Sequence, residues 1–171
     1  GCQRGSSVAN SASTTRELTI MDIRLDGRAA LITGGSEGLG KGMALRFAES
    51  GADIAILARR PDALNAAKAE IEAVSKGKVI TLPCDLLDGA ATKAAFAEAN
   101  AGLGKIDILV NNAGTSRAKA FDTVTDEEWE EDLELKLMAA IRLCRAALPG
   151  MKERKWGRII NVLNIGAKAP R

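Results

Sequence analysis

The stretch LITGGSEGLGKGMALRFAESGADIAILARR, residues 31–60, decides the fold. A short apolar run leads into a cluster of glycines, an amphipathic run follows, and a second apolar run ends at Arg59 and Arg60. Short apolar runs without clean alternation are typical of strands that are buried on both faces of a parallel sheet. The stretch therefore predicts a strand, a glycine-rich turn, a helix and a second strand.

The same alternation continues along the chain. Runs rich in Ile, Val and Leu predict five strands, at 29–32, 54–57, 79–82, 106–110 and 159–163. Helices are predicted over 39–49, from Pro61, over 89–100, and from a capping box at Thr125 and Glu128 until Pro149. Repeated strand and helix units imply right-handed crossovers. The predicted fold class is α/β, a doubly wound (Rossmann-type) parallel sheet of about five strands with helices on both faces and the carboxyl-terminal part of the fold missing.

The composition excludes several classes of function. The 171 residues suit one domain, the net charge is +2, and the chain contains neither His nor Tyr. Without His the chain cannot itself supply a Ser-His-Asp triad or a His-ligated metal, and the charge gives no reason to expect nucleic acid. No run approaches the ~20 apolar residues of a membrane span. Three widely spaced cysteines, Cys2, Cys84 and Cys144, indicate neither disulfides nor a metal site and favour a cytoplasmic location.

The glycine cluster lies where the first strand turns into the first helix. There Gly34 permits a tight turn, Gly38 lets a pyrophosphate approach the backbone, and Gly40 permits close packing of the helix on the strand. The N-terminus of this helix attracts anions. This predicts a dinucleotide site, and a glycine-rich turn without a ligand is the plain alternative. Residues 35–41 also read G-x-x-x-x-G-K, most of a nucleoside-triphosphate P-loop, but Gly42 stands where a Ser or Thr would hold Mg²⁺.

The end of the second strand bears on the choice of dinucleotide. A carboxylate there binds the ribose of NAD, whereas an arginine accommodates the 2′-phosphate of NADP. The strand ends in two arginines, so we predict NADP(H), with Arg59 as the main contact and Arg60 assisting. Two solvated arginines are the alternative. Glu37, inside the glycine loop, would repel the phosphate and keeps NAD possible.

Four segments together resemble the short-chain dehydrogenase/reductase family over about residues 22–171. They are Thr33-Gly-Gly-Ser-Glu-Gly-Leu-Gly40, Cys84-Asp85-Leu86, Asn111-Asn112-Ala113-Gly114 and RAALPGMKERKWGRIINV at 145–162. The resemblance implies that Asp85 binds the adenine amino group with Leu86 beside it, that Asn111 ties the central strands, and that Ala113 and Gly114 line the ribose. The predicted cofactor-binding residues are Gly34, Ser36, Gly38, Leu39, Gly40, Arg59, Asp85, Leu86, Asn111, Ala113 and Gly114.

The catalytic positions depart from the family pattern. Lys136 stands at the usual Asn position and Asn164 at the usual Ser position, and no Tyr-x-x-x-Lys segment is present before Arg171. The candidate catalytic residues are therefore Asn164, whose amide can hydrogen-bond a substrate carbonyl, and Lys136, for which a helical ion pair with Asp132 is the alternative. We expect a disordered leader or an added extension over 1–20 and an incomplete dinucleotide-binding domain over 21–171.

These observations support three hypotheses. The first is an NADP(H)-dependent oxidoreductase acting on a small-molecule carbonyl or alcohol, or the cofactor-binding portion of one. The second is a non-catalytic nucleotide-binding or interaction module, and the third is a P-loop phosphotransferase. Beyond the fifth strand we expect an exposed apolar sheet face and an unpaired edge. The fourth helix resembles one by which family members pair, so we expect a homo-oligomer through Leu133, Leu137, Met138, Ile141 and Leu148.

Overall fold

The computed structural model describes residues 23–115 and 119–163. The described strands are β1 (Ala29–Thr33), β2 (Asp53–Ala58), β3 (Val79–Pro83), β4 (Ile108–Asn111) and β5 (Arg158–Asn161). The described helices are α1 (Gly38–Glu49), α2 (Pro61–Glu72), α3 (Gly89–Leu103), α4 (Asp126–Leu133) and α5 (Ala139–Glu153). The strands form one parallel sheet in the order β3-β2-β1-β4-β5. The predicted α/β class and doubly wound sheet are confirmed.

Successive residues of β1 face opposite sides of the sheet, and each side has its own helices. Ala29 and Leu31 belong to the apolar cluster that includes α3 and α5. Ala30 and Ile32 belong to the cluster that includes α1 and α2. Because both faces are covered, all five residues of β1 are buried and the strand is apolar without alternation.

The edge of the sheet at β5 is open to solvent in the part of the chain that the structure describes. All four residues of β5 are exposed, and the side chains of Ile159 and Ile160 keep 37% and 39% of their accessible surface. Both β4 and β5 differ from their predicted bounds by one or two residues. The expected apolar edge is present at this strand.

The long fourth helix begins at the predicted capping box. Thr125 Oγ1 accepts from the Glu128 N–H at 3.3 Å, and Glu128 Oε2 accepts from the Thr125 N–H at 3.2 Å. Between α4 and α5 the helix forms a π-helical turn, Glu134–Met138, with helical backbone angles on both sides. A wider turn of this kind often marks a functional position. The sequence pattern does not reveal it, because the apolar spacing stays helical throughout.

The prediction that Pro149 ends this helix is wrong. Pro149 lies inside α5, which continues to Glu153. The missing N–H of a proline removes one backbone hydrogen bond. Ala147 and Met151, on either side of it, are buried in the apolar cluster under the sheet. We attribute the continuation of the helix to this packing.

Candidate functional site

A cleft of about 670 Å³ opens at the carboxyl ends of β1 to β4. β2 and β4 lie on opposite sides of β1, so the direction in which strands are added reverses there. Open α/β sheets bind ligands at such a switch point. The cleft is lined by most of the predicted cofactor-binding residues, namely Gly34, Ser36, Gly38, Leu39, Arg59, Asp85, Leu86, Ala113 and Gly114. Gly40 and Asn111 do not line it.

The glycine loop has the geometry of an anion-binding turn. Gly34 and Gly38 have φ angles of +65° and +53°, in the left-handed region that favours glycine. The Gly34 N–H donates to the Leu57 carbonyl oxygen at 2.8 Å, which folds the loop back over the end of β2. Apart from the adjoining residues and the backbone of α1 itself, no atom of the described residues lies within 4 Å of a Cβ placed on Gly38. The backbone at Gly38 is therefore open to a ligand at the N-terminus of α1.

Gly40 lies behind the glycine loop, in the first turn of α1. A Cβ placed on it would lie 2.2 Å from the Gly34 carbonyl oxygen and 2.6 Å from Asn112 Nδ2. The first turn of α1 consequently packs directly on the glycine turn and on the loop that follows β4. The close packing predicted for Gly40 is present, but its partners are these two loops and not a strand.

Thr33 and Asn112 join the two loops, and the sequence reading gave neither of them a role. The buried Thr33 Oγ1 accepts from the N–H groups of Asn112 and Ala113 at 2.9 and 3.0 Å and donates to the Val110 carbonyl at 3.3 Å. Asn112 Nδ2 donates to the Thr33 and Gly34 carbonyls at 3.0 and 3.3 Å. These partners are separated by 77 to 80 residues in sequence, so no local pattern indicates them.

Cys84, Asp85 and Leu86 follow β3 and form the far wall of the cleft. Leu86 is buried, whereas the Asp85 side chain is exposed, with Oδ1 accepting from the Leu87 N–H at 3.1 Å. Burial raises the pKa of the Cys84 thiol, and the carboxylates of Asp85 and Asp88 add to the shift. The Cys84 thiol is consequently neutral and buried in the wall of the cleft. A thiol in this state suits packing and not nucleophilic chemistry.

Arg59, Arg60 and Glu37 lie on the outer rim of the cleft. Arg60 Nη2 donates to Glu37 Oε1 at 2.5 Å, and both side chains are largely exposed. Glu37, which is expected to repel a phosphate, is thus paired with an arginine on this rim, and its effect on cofactor binding stays a prediction. The pair joins residues 23 positions apart, and the sequence reading treated its two members separately.

Asn111 ends β4 and lies not in this cleft but in a neighbouring groove, which Ala113 and Gly114 also line. Its Nδ2 donates to Asn161 Oδ1 at 2.8 Å and lies 3.6 Å from Cys144 Sγ. The side chain therefore links β4 to β5. Direct contact with a cofactor stays a prediction for this residue.

Lys136 lies at the centre of the π-helical turn, beside the loop after β4. Its Nζ is 2.7 Å from Asp132 Oδ1, the helical ion pair that was the alternative expectation. A Cβ placed on Gly114 would lie 3.8 Å from Lys136 Cε. Lys136 also lines a second cavity of about 260 Å³ and a groove of about 710 Å³ along α5 and β5. Asn164, the other candidate catalytic residue, lies outside the described residues.

The P-loop alternative has no support in the geometry. Lys41 Nζ donates to Glu70 Oε1 at 2.9 Å, which ties α1 to α2 on the outside of the fold. A P-loop lysine must instead reach phosphates inside the loop. Within residues 23–115 and 119–163, no cluster of His, Cys, Asp or Glu has the arrangement of a metal site.

A doubly wound parallel sheet with a glycine turn at its switch point defines the class of dinucleotide-binding α/β proteins. The family model described as short chain dehydrogenase matches residues 28–171, and the chain belongs to the short chain dehydrogenase family. The D-beta-hydroxybutyrate dehydrogenase of Cupriavidus necator is 40% identical over 139 residues, which are 81% of this chain and 53% of that protein. The chain spans about half the length of the curated relatives it matches.

Solved structures give the same assignment. L-sorbose reductase from Gluconobacter frateurii, complexed with NADPH and L-sorbose, matches with a TM-score of 0.83 at 36% identity, over 88% of this chain and 57% of that one. A 7 alpha-hydroxysteroid dehydrogenase complexed with NADH matches with a TM-score of 0.82 at 32% identity, over 88% and 58% of the two chains. None of the helices in the described ranges has the length and apolar character that a membrane span requires.

Proposed function

We propose that the protein is an NADP(H)-dependent short-chain oxidoreductase, or the cofactor-binding portion of one. Its reaction is hydride transfer between the nicotinamide and a carbonyl or secondary alcohol carbon. The observation that carries the proposal is that Arg59 and Arg60 stand on the rim of the same cleft as the glycine loop. A guanidinium suits a phosphate monoester. Similar structures hold different cofactors: L-sorbose reductase holds NADPH, a metagenomic short-chain oxidoreductase holds NADP and a 7 alpha-hydroxysteroid dehydrogenase holds NADH, so the choice of NADP(H) for this chain rests on the arginines.

The residues of the cleft fit a dinucleotide. The open backbone at Gly38 would hold the pyrophosphate, Asp85 would accept from the adenine amino group, and Leu86 would pack beside the ring. Ala113 and Gly114 would line the ribose next to the nicotinamide. When bound, the nicotinamide supplies hydride exchange at C4. Lys136, beside Gly114, would then hold a proton close to the substrate oxygen, and Asn164 stays a predicted hydrogen-bond partner of the carbonyl.

Calorimetric titration of the protein with NADPH and with NADH tests the cofactor assignment. We expect tighter binding of NADPH, and R59A should lower NADPH affinity by roughly 10- to 150-fold, the contribution of a charge-assisted hydrogen bond. NADH affinity should change little. R46A is the matched control, because Arg46 is an exposed arginine on α1 outside the cleft. An unchanged ratio of NADPH to NADH affinity in R59A would contradict the assignment.

A non-catalytic nucleotide-binding module is the second candidate, and Lys136 at the usual Asn position favours it. The two candidates differ in turnover. The complete gene product, supplied with NADPH and a panel of sugar, steroid and 3-oxo-acid ketones, should consume NADPH if it is an oxidoreductase. Saturable NADPH binding without any consumption would support the module instead.

Self-association and location are further parts of the proposal. Three exposed leucines lie along the long fourth helix, and a second copy of the chain would cover them: Leu133 in α4, Leu137 in the π-helical turn and Leu148 in α5. Sedimentation velocity should show a dimer, and L137E should shift it toward the monomer. A monomer at all concentrations would contradict this part. The cytoplasmic location stays a prediction from the cysteine usage.

A further inference from the structure

The rim of the cleft carries two adjacent arginines with different environments. Arg60 is bonded to Glu37, as described above. For Arg59, within the described residues, the structure shows neither an ion pair nor a side-chain hydrogen bond, although it lines the cleft. Neighbouring arginines at a strand end look equivalent in the sequence, and only the fold distinguishes them. The guanidinium of Arg60 is bonded to a carboxylate, whereas the guanidinium of Arg59 is available to a ligand.

The bond between Glu37 and Arg60 also has an unusual position. Glu37 occupies the N-cap position of α1, where the shorter side chains of Ser, Thr, Asp or Asn accept from the first turn, and the Glu37 side chain makes no such bond. The carboxylate is directed to Arg60, which immediately precedes Pro61 at the start of α2. The pair therefore bridges the loop after β1 and the loop after β2, across the outer edge of the cleft.

We propose that Arg60 is a positioning residue that neutralises Glu37, and that this pair lets a 2′-phosphate bind to Arg59. The inference rests on the proposed binding of NADP(H). A phosphate monoester carries up to two negative charges, so an unpaired carboxylate on the same rim would oppose it. With Arg60 held against Glu37, that opposition is cancelled while Arg59 stays available. The pair thereby sets how strongly the site prefers the phosphorylated dinucleotide.

The proposal predicts a specific pattern in a double-mutant cycle. R60A leaves Glu37 unopposed, so NADPH affinity should fall about tenfold and NADH affinity should change less than twofold. E37Q alone should leave NADPH binding at the wild-type level or tighter. In the double variant E37Q/R60A the carboxylate is absent, and NADPH affinity should return to within about twofold of wild type. R59A should weaken NADPH binding with either Glu or Gln at position 37.

The experiment measures dissociation constants of the four proteins for NADPH, NADH, 2′,5′-ADP and 5′-AMP. The last two probes isolate the phosphate from the rest of the dinucleotide. Raising the salt concentration should shrink the R60A deficit, since exposed charges are screened. R46A and E49Q form the matched control, because Arg46 and Glu49 make an exposed pair of 2.7 Å on α1 outside the cleft, and they should change none of these affinities.

Three results would overturn the proposal. If R60A still lowers NADPH affinity when E37Q is also present, Arg60 contacts the phosphate directly and does not act by neutralising Glu37. If R60A and E37Q both leave the affinities unchanged while wild type binds NADPH, the pair has no role in selection, although the proposed function stands. A wild-type protein that binds neither dinucleotide would overturn both the proposed function and this inference.

Discussion

Replacing Gly40 by alanine tests how the cleft is held together. The added methyl carbon would stand 2.2 Å from the Gly34 carbonyl oxygen and 2.8 Å from the Gly34 carbonyl carbon. Ordinary contacts between such atoms begin at roughly 3.5 Å, so backbone must move by about 1 Å. Overpacking of this kind costs roughly 1–3 kcal/mol, and the better helix propensity of alanine offsets about 1 kcal/mol at most. With the full offset we expect a net destabilisation of up to about 2 kcal/mol, together with weaker NADPH binding.

Gly42→Ala is the matched control, because it adds the same methyl group two residues further along α1. Apart from the adjoining residues and the backbone of α1 itself, a Cβ on Gly42 meets no atom of the described residues within 4 Å. This variant should gain up to about 1 kcal/mol from helix propensity alone. Urea unfolding followed by circular dichroism gives both free energies of unfolding, and calorimetry gives NADPH affinity. If G40A is as stable as G42A, the close packing described above does not hold the glycine turn.

Three further predictions follow from buried or bonded groups. Thr33→Val removes the oxygen that accepts two backbone N–H groups, so urea unfolding should show a loss of about 2 kcal/mol and calorimetry weaker NADPH binding. Asp107→Asn removes a fully buried carboxylate that contacts Lys105 and Arg154 at 3.1 and 3.2 Å. The midpoint of urea unfolding should fall, whereas the NADPH affinity of the folded protein should not change. Burial raises the folded-state pKa of Cys84, so the unfolded state loses the thiol proton first as pH rises through the ordinary thiol range. The free energy of unfolding should therefore decline over this pH range, and Cys84→Ala should abolish the decline.

The sequence predicts the frame of this fold well because its strands are buried on both faces. A run such as residues 29–33 has to be apolar throughout, and that requirement is visible in the letters. The capping box at Thr125 and the ion pair between Lys136 and Asp132 join residues three or four positions apart, so the sequence pattern also indicates them. Pro149 misled the prediction because packing on both sides of it outweighs the lost backbone bond.

The contacts that shape the cleft could not be predicted in the same way. The bonds of Thr33 to the loop after β4 and the bond of Arg60 to Glu37 join residues far apart in the chain. Only the register of the sheet brings them together. Sequence reasoning found most residues that line the cleft because they belong to motifs, but it assigned opposite effects to Glu37 and Arg60, which the structure joins.

The seam between β1 and β4, where the cleft opens, is held by side chains at both of its ends. At the amino end Asp107 Oδ2 lies 3.4 Å from the Ala29 N–H, and at the carboxyl end Thr33 bonds the residues after β4. Both groups are buried, so their loss destabilises the fold. Arg59 and Glu37 are instead exposed on the rim, where substitutions cost little stability. If the protein binds NADP(H) as proposed, we therefore expect substitutions on the rim to change the preference between phosphorylated and unphosphorylated dinucleotides without unfolding the protein, while the seam keeps the glycine turn in place.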